Sequence, residues 1–112
     1  MVRLTLWENQ NFGGRAVDID FVNGPLNNFG FGVSSFKTYA ADWVFLKSGD
    51  GDVMAVYGPQ DVGVLDMQRP NHGVGGAILG GTQDWNDCIQ SVSFSGDPTT
   101  ATNVIGASVG HF

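Results

Sequence analysis

Short segments in which apolar and polar residues alternate, separated by turn-forming sequences, restrict this chain to a fold built from short β-strands. Residues 2–6 and 17–21 show this alternation most clearly, and the sequence WENQNFGG separates them as a turn. A period of two is typical of a strand with one buried face. The same criteria predict strands at residues 34–39, 43–47, 53–57, 62–67 and 89–94, and the tail around residues 104–109 could contribute an eighth.

The composition excludes most helical architectures. The chain has 112 residues with 17 glycines, and only 14% of its residues are charged, against about 25% in a typical soluble domain. Its polarity comes from Asn, Asp, Gly, Ser and Thr, which favour turns over helix surfaces. Long amphipathic helices, coiled coils and helical bundles are therefore not expected. We predict one all-β domain, an antiparallel sandwich, with a long glycine-rich loop at residues 69–84.

The charge balance limits the partners. Lys and Arg number 5 and Asp and Glu number 11, which gives a net charge of −6. A surface that follows a phosphate backbone needs clustered basic residues, and no two basic residues here are adjacent. Nucleic acid and anionic membranes are therefore not expected as partners. The acidic excess suits solubility or, since nearly all the acids are Asp, the binding of cations.

The single cysteine, Cys88, excludes an intrachain disulfide framework and a CxxC metal or redox site. The N-terminus has polar residues by position 8 and therefore lacks the apolar segment of a signal peptide. These features favour the cytoplasm, although a secreted chain after removal of its signal would look the same.

Three arrangements that could carry chemistry have simpler explanations. The sequence GDGD at residues 49–52 suits a hairpin turn and lacks the later ligands of an EF-hand loop. Cys88, His72 and Asp84 could be a nucleophile, base and orienting acid, but a small thiol beside a strand is commonly structural. The tryptophans could line a sugar groove, but core packing explains them better. We therefore expect no enzymatic activity.

The first turn carries a more specific signal. Two aromatic residues, Trp7 and Phe12, are followed by Gly14, and Ser35 and Ser91 open later strands at a distance of 56 residues. This spacing resembles the signature of the βγ-crystallin superfamily, in particular its single-domain microbial and fungal members. The resemblance implies a folded hairpin in each half, locked by a serine from a later strand, with the glycine at a position that a Cβ would oppose.

The second half departs from this pattern. Tyr57 supplies the first aromatic, but Val62 and Val64 replace the second aromatic and the glycine. Even so, the resemblance implies two Greek key motifs packed as an antiparallel β-sandwich. The implied organisation is one domain over residues 1–112, with the first Greek key at about residues 2–48 and the second at about residues 52–106.

The resemblance also implies a calcium motif in each half, with two Asn or Asp residues followed after two positions by Ser or Thr and then Ser. In the second half Asn86, Asp87 and Ser91 match it, whereas Gln90 takes the place of Ser or Thr. In the first half, residues 30–35 keep both serines but lose both Asn or Asp positions.

Each site in the family combines the acid of one half with the hydroxyl of the other. Asp87 with Ser34 would therefore form a nearly intact Ca²⁺ site, assisted by Asn86 and by a backbone oxygen near Glu8 or Gly58. The second site would need Phe31, which has no ligand atom, together with Gln90. Because calcium takes six to eight oxygens, we expect this second site to be impaired.

The expected function is a non-enzymatic calcium-binding domain in which Ca²⁺ stabilises the fold. We expect a monomer with calcium as its partner, and the sequence identifies no protein partner. One alternative is a structural or storage protein whose calcium sites have decayed. Another is an interaction module, such as a protease inhibitor or toxin, that uses residues 69–84.

Overall fold

The computed structural model describes residues 1–20, the backbone of residues 26–27, and residues 29–73 and 77–106. These ranges contain short strands, two single-turn 3₁₀ segments (Gln10–Phe12 and Pro98–Thr100) and no α-helix. None of their helical segments is long and apolar enough to cross a membrane. The strands are β1 (Leu4–Asn9), β2 (Gly13–Ile19), β3 (Leu26–Asn27), β4 (Ser35–Thr38), β5 (Trp43–Ser48), β6 (Val53–Tyr57), β7 (Gln60–Val62), β8 (Gln68–His72), β9 (Ile78–Asp84), β10 (Ile89–Ser93) and β11 (Asn103–Ile105). The predicted all-β class is confirmed.

Two sheets form a sandwich. The first has the order β2-β1-β4-β7, and the second has the order β11-β6-β5-β10-β3. All pairings in them are antiparallel except that of β11 with β6. The first sheet contains the β1–β2 hairpin and β4, and accepts β7 from the second half of the chain. The second contains the β5–β6 hairpin with β10 and β11, and accepts β3 from the first half. The Greek key connectivity stays a prediction.

Both sheets contribute to one hydrophobic core. Leu4, Leu6 and Phe36 come from the first sheet, and Leu46 and Val92 come from the second, all of them fully buried. Burying a large apolar side chain stabilises the fold by about 1.5–3 kcal/mol. Because both sheets pack on the same core, burial of these side chains stabilises the packing of one sheet on the other.

Strand β5 lies in the second sheet, where it pairs with β6 and β10. The first Greek key predicted from the resemblance, at about residues 2–48, would therefore include one strand of the second sheet. The bounds of the two Greek keys stay a prediction. The alternation of apolar residues identifies a strand but not its neighbours.

The predicted loop at residues 69–84 is wrong over most of its length. Strands β8 and β9 form a two-stranded antiparallel ribbon there, while residues 74–76 lie outside the described ranges. The glycines that suggested a loop include Gly80 and Gly81, which have positive φ angles of 83° and 72° within β9. Such angles suit glycine in an irregular strand.

The first hairpin is held by aromatic and hydroxyl contacts. The rings of Trp7 and Phe12 meet edge to face with their centroids 5.2 Å apart. Gly14 has a φ of 75°, and a Cβ there would lie 2.7 Å from Asn9 Nδ2. The buried Ser35 hydroxyl donates to the Asn9 carbonyl at 2.6 Å and accepts from the Phe12 N–H at 3.0 Å. Thus one serine on β4 fixes the turn between β1 and β2.

We expect Ser35→Ala to lower the free energy of unfolding by about 1–3 kcal/mol, because it removes the partner of two backbone groups in a buried place. Urea denaturation monitored by tryptophan fluorescence measures this loss. The matched control is Ser91→Ala, since the Ser91 hydroxyl makes no hydrogen bond in the described part of the chain. Equal effects of the two substitutions would contradict this account of the hairpin.

Candidate functional site

The structure brings Ser34 and Asp87 together from opposite halves of the chain. Ser34 directly precedes β4, and Asp87 lies in the turn before β10. The Ser34 hydroxyl donates to Asp87 Oδ1 at 3.3 Å. The Asp87 N–H donates to the Val33 carbonyl at 3.0 Å, which anchors the turn beside the serine. A carboxylate and a hydroxyl therefore face each other between the two sheets.

The backbone is shaped to allow this approach. Asp87 has a φ of 58°, in the left-handed region that Asp and Asn tolerate better than most residues. Opposite it is Gly32, where a Cβ would lie only 2.5 Å from Asp87 Oδ1. The carboxylate thus occupies space that any larger residue at position 32 would fill.

Asn86 adds a polar atom without a partner. Its N–H donates to Asp84 Oδ1 at 3.1 Å, and its Nδ2 lies 3.4 Å from Asp87 Oδ2. Its Oδ1 is buried and has no hydrogen-bond partner within the described residues. A buried acceptor of this kind costs free energy unless a donor or a cation satisfies it.

Glu8 and Gly58, the two residues expected to supply a backbone carbonyl to the Ca²⁺ site, lie in different places. Glu8 directly follows Trp7, whose carbonyl accepts from the Ser34 N–H at 2.9 Å, so the Glu8 backbone lies near the serine in space. Gly58 is not brought to Asp87, because it lies against Thr38 at the opposite end of β4 from Ser34.

The Glu8 side chain is engaged elsewhere. Arg15 Nη2 contacts Glu8 Oε2 at 2.6 Å. The hydrogen bonds from the Arg15 side chain and then from its backbone hold the pKa of Glu8 below its usual range. The Glu8 carboxylate is therefore paired with Arg15.

The resemblance implied a second hairpin that begins at Tyr57, but the structure places Tyr57 at the end of the second hairpin. Tyr57 ends β6 and packs edge to face on Trp43 at 5.2 Å. β6 and β7 belong to different sheets, so the segment that follows Tyr57 crosses between sheets. The hairpin of the second sheet is β5–β6, and its turn is the GDGD sequence.

An open cleft of about 520 Å³ lies at residues that the resemblance assigns to the second site. Phe31 and Gln90, which the resemblance assigned to the second site, both line it, together with Gly49. The described lining contains no carboxylate, so it lacks the anionic ligand that calcium favours.

A buried polar cluster that sequence reasoning missed lies beside the second hairpin. One ligand atom each from Asp50, Asp52 and His72 lies within 4.8 Å of the others, so this group could hold a metal ion. In the structure, however, Arg69 Nη1 contacts Asp50 Oδ1 at 2.6 Å and Asp52 Oδ2 at 2.9 Å. His72 Nε2 also contacts Asp52 Oδ2, at 3.0 Å. The acids two apart in GDGD were the only signal for this cluster.

The electrostatics of this cluster follow from its burial. Desolvation on its own raises the pKa of Asp50, but hydrogen bonds from Ser48 and Arg69 outweigh it, so the pKa of this carboxyl is lowered. Desolvation opposes the charge on Arg69, yet contacts with Cys88, Asp52 and Asp50 leave the pKa of Arg69 raised. Both groups are therefore charged near neutral pH.

Cys88, His72 and Asp84, considered above as a nucleophile, base and orienting acid, each have contacts with other residues. His72 contacts Asp52, Asp84 accepts from the Asn86 N–H, and Cys88 lines a small cleft with Arg69.

Comparison with known proteins finds no matching family model, no matching curated protein and no matching solved structure.

Proposed function

We propose that this chain is a non-enzymatic, calcium-binding domain of the βγ-crystallin type, in which the ion stabilises the fold. The observation that carries the proposal is the contact of Ser34 with Asp87, which joins the two halves at 3.3 Å. Asn86, whose Nδ2 contacts Asp87 and whose buried Oδ1 has no hydrogen-bond partner among the described residues, supports it. An ion bound at this place would be held by both halves and would therefore oppose their separation.

The chemistry of the donor set suits calcium. Asp87, Ser34 and Asn86 offer carboxylate, hydroxyl and amide oxygens, which are hard ligands. Calcium takes six to eight oxygens, so water and backbone carbonyls would complete the shell. With one carboxylate in the set, the affinity is that of a weak site.

The alternative position, at Asp50, Asp52 and His72, is less suitable for a cation. The Arg69 guanidinium already contacts both carboxylates, and its side chain is only 3% exposed. A metal ion there would have to displace or neighbour a buried positive charge. The Asp87 carboxylate is instead exposed, and its pair with Ser34 involves no cation.

The test is a thermal melt with calcium and with a chelator. An ion that binds only the folded state raises its stability by about 2.7 kcal/mol at about 100-fold excess over the Kd. We expect the Tm to rise with calcium in the natural sequence and to be unchanged by calcium in Asp87→Ala. Isothermal calorimetry on the same proteins measures binding directly.

Two further variants make this test specific. Asp61→Ala removes an exposed acid on β7 and should keep the calcium response. Asp50→Asn tests the other cluster: loss of the response there, with retention in Asp87→Ala, would move the ion to Asp50. No response in the natural sequence would instead favour a structural or storage protein with decayed sites.

A second candidate function, an interaction module, rests on the β8–β9 ribbon. Ile78 and Leu79 on β9 are 71% and 65% exposed. Exposed apolar side chains on a ribbon that lies outside the two main sheets are available for contact with a partner. Substituting both residues by Ser should leave the calcium response intact, which separates the two functions.

A further inference from the structure

The two halves close their hairpins in different ways. In the first, Ser35 reaches across from β4 to the turn. In the second, Ser48 closes its own turn, since its hydroxyl accepts from the Asp52 N–H at 3.0 Å and donates to the Asp50 carboxylate. The second turn thus needs no serine from β10.

Among the residues that the structure describes, two polar side chains on β10 have no hydrogen-bond partner. Ser91 pairs with Lys47 in the second sheet as Ser35 pairs with Trp7 in the first. Within the described part of the chain, neither the Ser91 hydroxyl nor the Gln90 amide makes a hydrogen bond. Both side chains line the 520 Å³ cleft.

The rest of the described lining is uncharged. It includes two aromatic residues, Phe29 and Phe31, together with Ser48, Gly49 and Ile89. A Cβ on Gly49 would lie 2.5 Å from Gln90 Oε1, so glycine keeps this amide in place. None of the described lining residues is charged, and residues 21–34 contain no charged side chain.

One positive charge, that of Arg15, lies against the ring of Phe31, and it is already paired. The Arg15 guanidinium lies 5.4 Å from the centroid of the Phe31 ring, but its Nη2 is paired with Glu8 at 2.6 Å. The described lining therefore offers two phenylalanine rings, the Gln90 amide and the Ser91 hydroxyl, and no charged group. Its volume falls within the range of about 300–1,000 Å³ that small-molecule sites occupy.

We propose that this cleft binds a small neutral polyhydroxylated ligand, a sugar of hexose size. The C–H face of the ring would pack on Phe29 and Phe31, and its hydroxyls would pair with Gln90 and Ser91. A charged ligand would lose hydration without gaining a counter-charge, and a purely apolar one would leave the amide and hydroxyl unpaired. Amide and hydroxyl groups both donate and accept, as sugar hydroxyls do.

The test is an NMR titration of the isotopically labelled protein with glucose and with N-acetylglucosamine. We expect saturable shifts of the backbone signals of Phe31, Gln90 and Ser91, with a Kd on the order of 1 mM for a small ligand in an open cleft. Gln90→Ala and Phe31→Ala should each weaken binding about tenfold. Gln90 is exposed, so its variant keeps the fold even if Phe31→Ala does not.

Two controls separate this site from the cation site. Asp87→Ala should bind the sugars as the natural sequence does, and Gln68→Ala, an amide on β8, should have no effect. The proposal is overturned if neither sugar gives saturable shifts, or if the shifts persist in Gln90→Ala and Phe31→Ala together. It is also overturned if only calcium, and no sugar, shifts these signals.

Discussion

Replacing Arg69 by methionine is expected to lower the free energy of unfolding by about 3–5 kcal/mol, because removing one member of a buried ion pair leaves the other charges uncompensated. Arg69 is 3% exposed and lies between Asp50 and Asp52. Its loss leaves two carboxylates close to each other without the positive charge that contacts both of them. Chemical denaturation at neutral pH measures the change.

The matched control for Arg69→Met is Arg15→Met. Arg15 also pairs with a carboxylate, but its side chain is 64% exposed, and exposed ion pairs contribute little. Adding Asp50→Asn and Asp52→Asn to Arg69→Met should restore part of the lost stability, since no uncompensated charge remains. If Arg69→Met cost no more than Arg15→Met, the cluster would have no role in stability.

The same cluster predicts the pH dependence. The folded-state pKa of Asp50 is lowered, so its ionisation stabilises the protein above the unfolded-state pKa of about 3.9. This contribution is lost as the pH falls through the lower folded-state pKa. The difference between the natural sequence and Arg69→Met should therefore be largest above about pH 4 and should shrink in acid. Denaturation across this range measures it.

Replacing Trp85 by alanine is expected to lower the free energy of unfolding by about 3–5 kcal/mol and to abolish the calcium response. Trp85 is fully buried, and its indole Nε1 donates to Asn103 Oδ1 at 2.8 Å. Its carbonyl accepts from the Cys88 N–H at 3.1 Å, which closes the turn that carries Asp87. The cavity left by the ring would lie beneath that turn.

Trp85→Phe is the control for the ring. It keeps most of the apolar contact but leaves Asn103 without the indole donor, so a smaller loss of about 1–3 kcal/mol is expected. Calcium-dependent melts of both variants measure stability and binding together. A full calcium response in Trp85→Ala would show that the turn is independent of the core.

The class of the fold and the first hairpin follow from local sequence. Alternation in residues 2–6 and 17–21 requires only neighbours along the chain, and it marks β1 and β2. The pairing of Asp87 with Ser34 was predicted through a family resemblance and not through spacing, since 53 residues separate them.

The rest depends on contacts that local patterns do not encode. Arg69 meets Asp50 from 19 residues away, because the β8–β9 ribbon brings it back to the second hairpin. The aromatic residue Tyr57 suggested that a hairpin begins there. Tyr57 instead ends β6, which is the second strand of the β5–β6 hairpin. Glycines within β9 suggested a loop, although their conformations are accommodated in a ribbon.

The exchange of strands between the sheets has a consequence for folding. β7 completes the sheet of β1, β2 and β4, and β3 completes the sheet of β5, β6 and β10. Neither half of the chain can therefore finish its own sheet, and each alone would leave one side of β4 or β10 without its neighbouring strand. We expect the two halves to unfold together in one cooperative transition. The same reciprocity gives two copies a ready means of swapping halves to form a dimer.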